Sequence, residues 1–529
     1  MSPQSATPTY TFATSAALAL EATFDGGRLT SDGGLPWLAE AEDASGMCRA
    51  LAACVPEWRR SHIDHSIEAL TRQRVFGIAC GYEDQNDADT LRSDPLLKLV
   101  CGRRPESDAD LASQPTLSRF ENAVDRHACR ALAHALLDVY LRARERDGHP
   151  THIVLDIDST DDPTHGAQEG TAYHGYYRQH MYHPLLVFDG DTDQLVVALL
   201  RPGDAHASRG VITVLRVLIR AMRARWPGVT IEIRADGGCA VPALYDFCAQ
   251  EDMGYTIGLI PNSRLEAIAA PLLAQAKERR AATGEKARLV GETTYKAGTW
   301  SRERRVVYKA EALDQGPNTR FVVTTRTDPP AAVYDWYVDR GEAELWIKDF
   351  KRACLADRLS DHRFWANQFR LVLHAAAYWL LDTVRRRLCR QGYPPLQLDT
   401  LRLRLLKVGG RVRELATRVR LHLASSHPGQ PLWDLLAAAS PRAASACVPV
   451  GVGPWGWIGA ICSGAAVADS HLLRPQPPPG VWDGACRSPA RTPHRHPSSG
   501  ARSCCTISMA PLVDLSLSTS MSIVMNNPG

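Results

Sequence analysis

Several features that would narrow the chemistry at once are missing from this sequence. Its fourteen cysteines form no C-x-x-C pair, which excludes the usual structural zinc spacings and a thioredoxin-type redox site. No charged, apolar and small-residue leader opens the chain, so reduced thiols and a cytoplasmic location are expected. The formal net charge is only +3; any surface for a polyanion must therefore come from local clustering of cations and not from a global field. A literal G-x-G-x-x-G occurs at Gly451, Gly453 and Gly456, but Pro454 and Trp455 interrupt it and no strand-to-helix pattern follows, which removes a nucleotide-binding reading. His62, Asp64 and His65 have no companion ligand cluster and read as polar helix residues. The uncharged stretch 443–468 is long enough to span a membrane, yet its glycines and prolines and the charged body before it argue against a membrane partner.

What is present is an ordinary globular composition, 45% hydrophobic, on a 529-residue chain long enough for two to four domains. Residues 31–147 carry apolar side chains at three-four spacing, as in 66–80 and 126–140, and read as helices; Ser113 followed by Pro115 marks a helix start. From Pro150 the rhythm changes to strands at 153–157, 184–188 and 194–200. A helix at 209–225, a strand at 229–235, a helix at 243–250 and a strand at 255–260 follow. Between 263 and 330 lie three alternating runs, 287–295, 304–311 and 320–325, read as a β-rich insertion. Two regions are visibly basic, 277–309 and 385–420, and either is suited to neutralising phosphates.

Three acids stand out against this background. Asp158 follows the apolar run His152-Ile-Val-Leu-Asp156-Ile, and Asp236 closes Val229-Thr-Ile-Glu-Ile-Arg-Ala ahead of Gly237 and Gly238, so each sits at a strand end. The third, Glu344, belongs to Tyr337-Val-Asp-Arg340-Gly-Glu-Ala-Glu344-Leu-Trp-Ile-Lys-Asp-Phe-Lys351, whose spacing places Tyr337, Arg340, Glu344 and Lys351 on one face of a helix. Two strand-end aspartates and a helix-borne glutamate suit a pair of hard divalent cations, Mg²⁺ with Mn²⁺ as a substitute, for phosphodiester chemistry. Asp156, two residues earlier on the same strand face, is a rival for the first position.

The Tyr-x2-Arg-x3-Glu-x6-Lys pattern, matched at all four positions, resembles the signature of the DDE transposases of bacterial insertion sequences. The passages 81–95, 113–122 and 156–166 make the resemblance closest to the IS-thirteen-eighty group, over roughly residues 20–435. The resemblance implies an α/β fold: a ribonuclease-H-like mixed-sheet core with a β-rich insertion, preceded by a helical N-terminal domain. The strand-strand-strand-helix-strand-helix-strand order supports that sheet independently of the signature. In that frame residues 1–149 form the helical region for DNA-end recognition or subunit pairing, 150–262 and 331–440 the two parts of the core, 263–330 the insertion, and 441–529 a low-complexity tail.

The resemblance further implies that Asp158, Asp236 and Glu344 form the catalytic, metal-binding triad, with Asp158 preferred to Asp156 because a threonine follows it closely in Asp158-Ser159-Thr160. Tyr337, Arg340 and Lys351 are then DNA contacts. Members of the superfamily place such an insertion over DNA, so Trp300, flanked by Arg302, Arg304 and Arg305, either packs in the interior, as a lone tryptophan more often does, or stacks on an unpaired base. The expected partners are double-stranded DNA, as terminal inverted repeats and as target, and a second copy of the chain in a homodimer. The expected reaction is cleavage at the element ends followed by strand transfer; the alternatives are a ribonuclease-H-like nuclease or resolvase without strand transfer, and a catalytically silent DNA-binding remnant.

The tail has no apolar period and five of the fourteen cysteines, and relatives of this type end soon after the segment corresponding to 428–440, which reads as a terminus altered by frameshift or read-through. Truncation after Ser440 is expected to retain DNA cleavage; an unfolded truncated chain, seen by circular dichroism, would contradict this.

Overall fold

The computed structural model describes residues 8–13, 18–61 and 63–440. The readings of the tail, the Gly451–Gly456 motif among them, and that of His62 lie outside the described residues. Asp64 and His65 precede a helix rather than lying in one, because Ser66 caps that helix by accepting a hydrogen bond from the Ala69 amide at 3.1 Å.

The sheet is built outward from His152–Ser159 (β1), whose Ile153, Val154, Leu155 and Ile157 are all buried. Apolar residues on both faces mark a central strand covered on both sides. Leu185–Asp189 (β2) pairs antiparallel with β1, and Leu195–Leu199 (β3) antiparallel with β2. Thr230–Ala235 (β4) runs parallel to β1 on its other side, and Gly254–Leu259 (β5) parallel to β4. The helices Val211–Arg225 and Pro242–Gln250 supply the crossovers into β4 and β5. The order β3-β2-β1-β4-β5, with β1, β4 and β5 parallel, is the ribonuclease-H-like arrangement anticipated from the sequence.

The three strands expected as an insertion are present, at Ala287–Tyr295 (β6), Arg304–Leu313 (β7) and Gly316–Thr324 (β8). They continue the core sheet in the order β6-β7-β8-β5 instead of forming a layer of their own. β8 pairs antiparallel with β5, Thr256 opposite Thr324 with their hydroxyls 2.7 Å apart. A helix that the sequence pattern did not disclose, Ser263–Thr283, covers this extension through Leu265, Ala269 and Ala276; its interior Pro271 and weak apolar period hid it.

The N-terminal helices include Ile67–Cys80 (α1), Gln114–Asn122 (α2) and Arg126–Arg146 (α3), close to the anticipated spans. Downstream lie Pro330–Val338 (α4), Gly341–Ala353 (α5) and the long Phe364–Arg390 (α6). α6 joins the helical region to the sheet: Gln368 bonds to Leu200 N and Ala198 O, the Trp379 indole donates to Leu195 O at 2.8 Å, and Phe369 meets Phe120 of α2 edge-on at 5.1 Å. One apolar cluster therefore runs through helices and sheet, and the change at residue 150 is a change of secondary structure inside a single packed unit. Among the described residues no helix is long and apolar enough to cross a membrane.

Inside this cluster a buried carboxylate ties three helices together. Glu121 of α2 takes Arg74 Nε of α1 at 2.6 Å and Arg370 Nε of α6 at 2.7 Å, with all three side chains buried. Burial raises the Glu121 carboxyl, but Arg370 and Arg74 outweigh it and hold it down at about 2, from an ordinary 4.5. Burial likewise holds the neighbouring His374 down, to about 3 from 6.5. Both are proton-free when folded; as pH falls the unfolded chain takes up a proton at His374 below 6.5 and at Glu121 below 4.5, before the folded chain does. Stability from this cluster is thus complete above about pH 6.5 and declines toward about pH 2, His374 giving up its share by about pH 3. Glu121→Ala, which strands two buried guanidiniums, should cost about 3–5 kcal/mol in urea unfolding at pH 7 and remove the share of the acid sensitivity that Glu121 contributes between pH 4.5 and about 2.

Candidate active site

Parallel pairing puts two carboxylates side by side. β1 and β4 are in register with Ala235 opposite Ile157, so the next step brings Asp236 to the end of β4 beside Asp158 near the end of β1. Asp236 turns its carboxylate back onto the Gly238 amide at 3.0 Å, capping the short 3₁₀ turn Gly237–Cys239. Asp158 accepts from the Ser159 amide at 2.8 Å. Burial pushes the Asp158 carboxyl up to about 6, with Arg340 opposing the shift and the negative charge of Asp236 adding to it. The rival Asp156 is engaged elsewhere: it is fully buried and forms a two-pronged ion pair with Arg234, Nε to Oδ1 at 2.6 Å and Nη2 to Oδ2 at 2.7 Å.

The signature residues reach the strand ends from above. The single helical face expected for them is interrupted, because α4 ends at Val338 and α5 begins at Gly341. Across the break the chain keeps helical dihedrals but tightens to three-residue bonds, Arg340 N to Tyr337 O at 3.1 Å and Ala343 N to Arg340 O at 2.9 Å. The four side chains still converge on one region. The Tyr337 hydroxyl donates to Ala235 O at 3.4 Å, Arg340 Nη1 lies 2.9 Å from Asp158 Oδ2, and Arg340 Nη2 lies 3.4 Å from Glu344 Oε1. Lys351 Nζ grips Asp161 through its carboxylate at 2.8 Å and its carbonyl at 2.9 Å, pinning the loop that leaves β1. The opposite face of α5 buries Ala343, Trp346, Ile347 and Phe350, with Trp346 against Phe188 of β2. Tyr337 fits only because residue 258 is glycine: a Cβ there would lie 2.6 Å from its hydroxyl.

All three acids offer hard carboxylate oxygens, the donor type that Mg²⁺ and Mn²⁺ favour. Asp158 and Asp236 are close enough to repel each other, while Glu344, with a side chain 66% exposed, connects to Asp158 through the Arg340 guanidinium. Among the described residues no three acidic, histidine or cysteine side chains stand together as a ready metal cage. A cation already occupies the place between Asp158 and Glu344, and it is Arg340. The donor chemistry fits a divalent ion, and the exposed Glu344 has the freedom to turn toward one.

The insertion residues separate into different roles. Trp300 is only 6% exposed and packs edge-on to Tyr245 at 5.4 Å and Tyr295 at 5.5 Å, which corrects the stacking alternative in favour of packing. Arg304 is buried as well, tied to Asp246 at 2.6 Å and to the Tyr255 hydroxyl at 3.0 Å. Arg305 pairs with Glu292 and with the carbonyls of Arg326 and Asp328, whereas Arg302 is exposed. In the basic run 385–420 the arginines of α6 are paired within the protein, whereas Arg411, Arg413, Arg418 and Arg420 are exposed. Arg385 pairs with Asp382 and Asp349, Arg386 and Arg390 share Asp147, and Arg387 meets Glu40. A count of charges along the chain cannot tell the paired cations from the exposed ones.

Two contributors carried no sequence signal of their own. Asp161 links Lys351 to Gln179. Arg201 is buried and binds Ser159 Oγ at 2.7 Å and the carbonyls of His183, Ala207 and Arg209, fastening the loop beside Gly238 to the end of β1. Burial lowers its guanidinium to about 10.

The contrast between neighbouring aspartates is testable. Asp156→Asn should cost about 3–5 kcal/mol in thermal or urea unfolding, because it strands Arg234 in the interior. Asp158→Asn should cost no more than about 1 kcal/mol, since it also removes a repulsion with Asp236.

No curated protein matches the chain. Among solved structures it is similar to a piggyBac transposase synaptic complex with hairpin DNA seen by electron cryo-microscopy, at 11% identity over 72% of this chain and 80% of that chain, with a TM-score of 0.39. A family model described as transposase DDE domain group 1 matches residues 12–443, a span that takes in both strand-end aspartates and the whole Tyr-Arg-Glu-Lys signature. The chain therefore belongs to the DDE transposase domain family, group 1.

Proposed function

We propose that this protein is a transposase of the insertion-sequence type, resembling the IS-thirteen-eighty group, that cuts DNA at the element's inverted repeats and joins the freed 3′ end to target DNA. The observation that carries this reading is the convergence of Asp158, Asp236, Arg340, Glu344 and Lys351 from β1, β4 and α5 on one surface. Asp158, Asp236 and Glu344 would hold two Mg²⁺ ions, with Mn²⁺ as a substitute; such ions neutralise charge on the reacting phosphate and activate the attacking oxygen.

The chain's own cations prepare the phosphate. Arg340 balances Asp158 and Glu344 in this structure and would turn to a DNA phosphate when other positive charge compensates those acids. Lys351 holds the loop after β1 and presents a second cation beside it. The hydroxyl of Tyr337, held near the end of β4, would turn its one proton from Ala235 O to a phosphate oxygen. Exposed Arg302 extends the cationic surface, and the other insertion residues act through packing. A homodimer, each copy handling one element end, fits the need to act on two ends together.

Asp158→Asn, Asp236→Asn and Glu344→Gln should each lower cleavage of an inverted-repeat duplex by about a thousandfold or more while leaving its binding intact. The measurement is gel analysis of nicked and joined products in Mg²⁺, with chelator as control. Nicking without joined product would assign a nuclease or resolvase; shifted but uncut DNA from the unaltered chain would assign a silent remnant.

A further inference from the structure

Between β1 and β2 the chain throws out a small antiparallel hairpin that the triad does not use. Its strands are Ala172–His174 and Gln179–Tyr182, paired with Tyr173 opposite His180, and Asp162–Pro163 adds a third, short strand. The base is fixed. Tyr182 is buried, donates to Glu169 O and meets Phe364 edge-on, and Gly203 lies so close beneath that a Cβ there would collide with Met181 O.

The tip has the opposite character. Residues 175–178 form the turn, closed by Arg178 N to His174 O at 2.7 Å, with Arg178 held at φ 55°. Tyr176 is 84% exposed and Tyr173 56% exposed. A tight turn at a hairpin tip ordinarily carries small polar residues, since exposed rings gain nothing from water. From Thr171 to Tyr182 there is no acidic residue, while Arg178 and His180 are exposed. Flat rings, an arginine and no carboxylate are the make-up of a nucleic-acid stacking surface.

Its position ties it to the candidate site. Gln179 Nε2 donates to Asp161 Oδ2 at 3.0 Å, and the other oxygen of that carboxylate holds Lys351 Nζ at 2.8 Å. The Tyr177 ring meets His183 at 5.9 Å, and the His183 carbonyl is held by Arg201, which also binds Ser159 at the end of β1. Tyr177 in turn packs edge-on against Tyr176 at 5.1 Å, bracing the exposed ring from behind.

We propose that this hairpin tip is a stacking site for an unpaired base beside the DNA strand end, with Tyr176 as the principal platform, Tyr173 as the second and Arg178 on the adjoining phosphate. It rests on the reading of the Asp158–Asp236–Glu344 surface as the site of DNA cleavage. It assigns to Tyr176 the part the sequence pattern had offered to Trp300, whose ring is buried.

The test uses the full-length protein in Ca²⁺, with two fluorescent probes: a blunt inverted-repeat duplex, and the same duplex with three unpaired terminal nucleotides carrying 2-aminopurine. The unaltered protein should prefer the frayed probe and quench its 2-aminopurine. Tyr176→Ala should abolish the quenching and weaken frayed-probe binding about tenfold, with blunt-duplex affinity and Tm unchanged; Tyr176→Phe should keep both. Equal weakening on the two probes, failure of the Phe variant alongside the Ala variant, or no change on either probe would each overturn the proposal. Cleavage by the unaltered protein in Mg²⁺ is read in parallel. If it cleaves while Tyr176→Ala behaves as wild type, the stacking site alone is wrong; if it neither binds nor cleaves DNA, the functional reading falls and this inference with it.

Discussion

The paired strands β1 and β4 are locked by the Arg234–Asp156 ion pair, and the site stands on that lock. Arg234 and Asp156 face each other across the parallel register, buried, with both nitrogens of the fork engaged. Desolvating two charges is costly, and only this two-pronged geometry makes the arrangement tolerable. One pleat further along the same face come Asp236 and Asp158, so a slip of a single residue would turn both acids into the core. Arg234 also donates to Trp336 O in α4, which carries the lock from the sheet to the helices that bear the signature.

The signature helices are held by two opposed demands. Their apolar side, with Trp346 and Phe350 against Phe188 and Tyr378, must stay in the core. Their polar side must reach over the strand ends with Tyr337, Arg340 and Lys351. The tightened turn between α4 and α5 reconciles the two, and Gly258 opens the space that Tyr337 fills. Without Arg340 between them, Asp158 and Glu344 would lack their shared counter-charge, which makes the arginine both a structural balance and the cation nearest the acids.

Much of this was legible in the residues. Strand ends at Asp158 and Asp236 follow from apolar runs that stop at turn residues, and β1 through β5 fall close to their anticipated bounds because buried central strands have an unmistakable composition. The Ser113 helix start was equally plain, whereas the Ser66 start was hidden because Asp64 and His65 read as helical. Trp300 and the basic runs show where such reading stops. A tryptophan among arginines looks the same on paper whether its neighbours face DNA or Asp246 and Tyr245, and the arginines of α6 find partners hundreds of residues away.

The sequence by itself determined which residues alternate, where chains of apolar side chains end, and which acids and cations are spaced to meet; these are local properties of propensity and period. Only the tertiary structure decided that Asp156 belongs to Arg234 and Asp158 to Arg340, that β6, β7 and β8 extend the core sheet, and that Tyr173 and Tyr176 stand exposed while Trp300 is buried. Those outcomes depend on which surfaces lose water to one another, and that is settled by contacts between segments far apart in the chain.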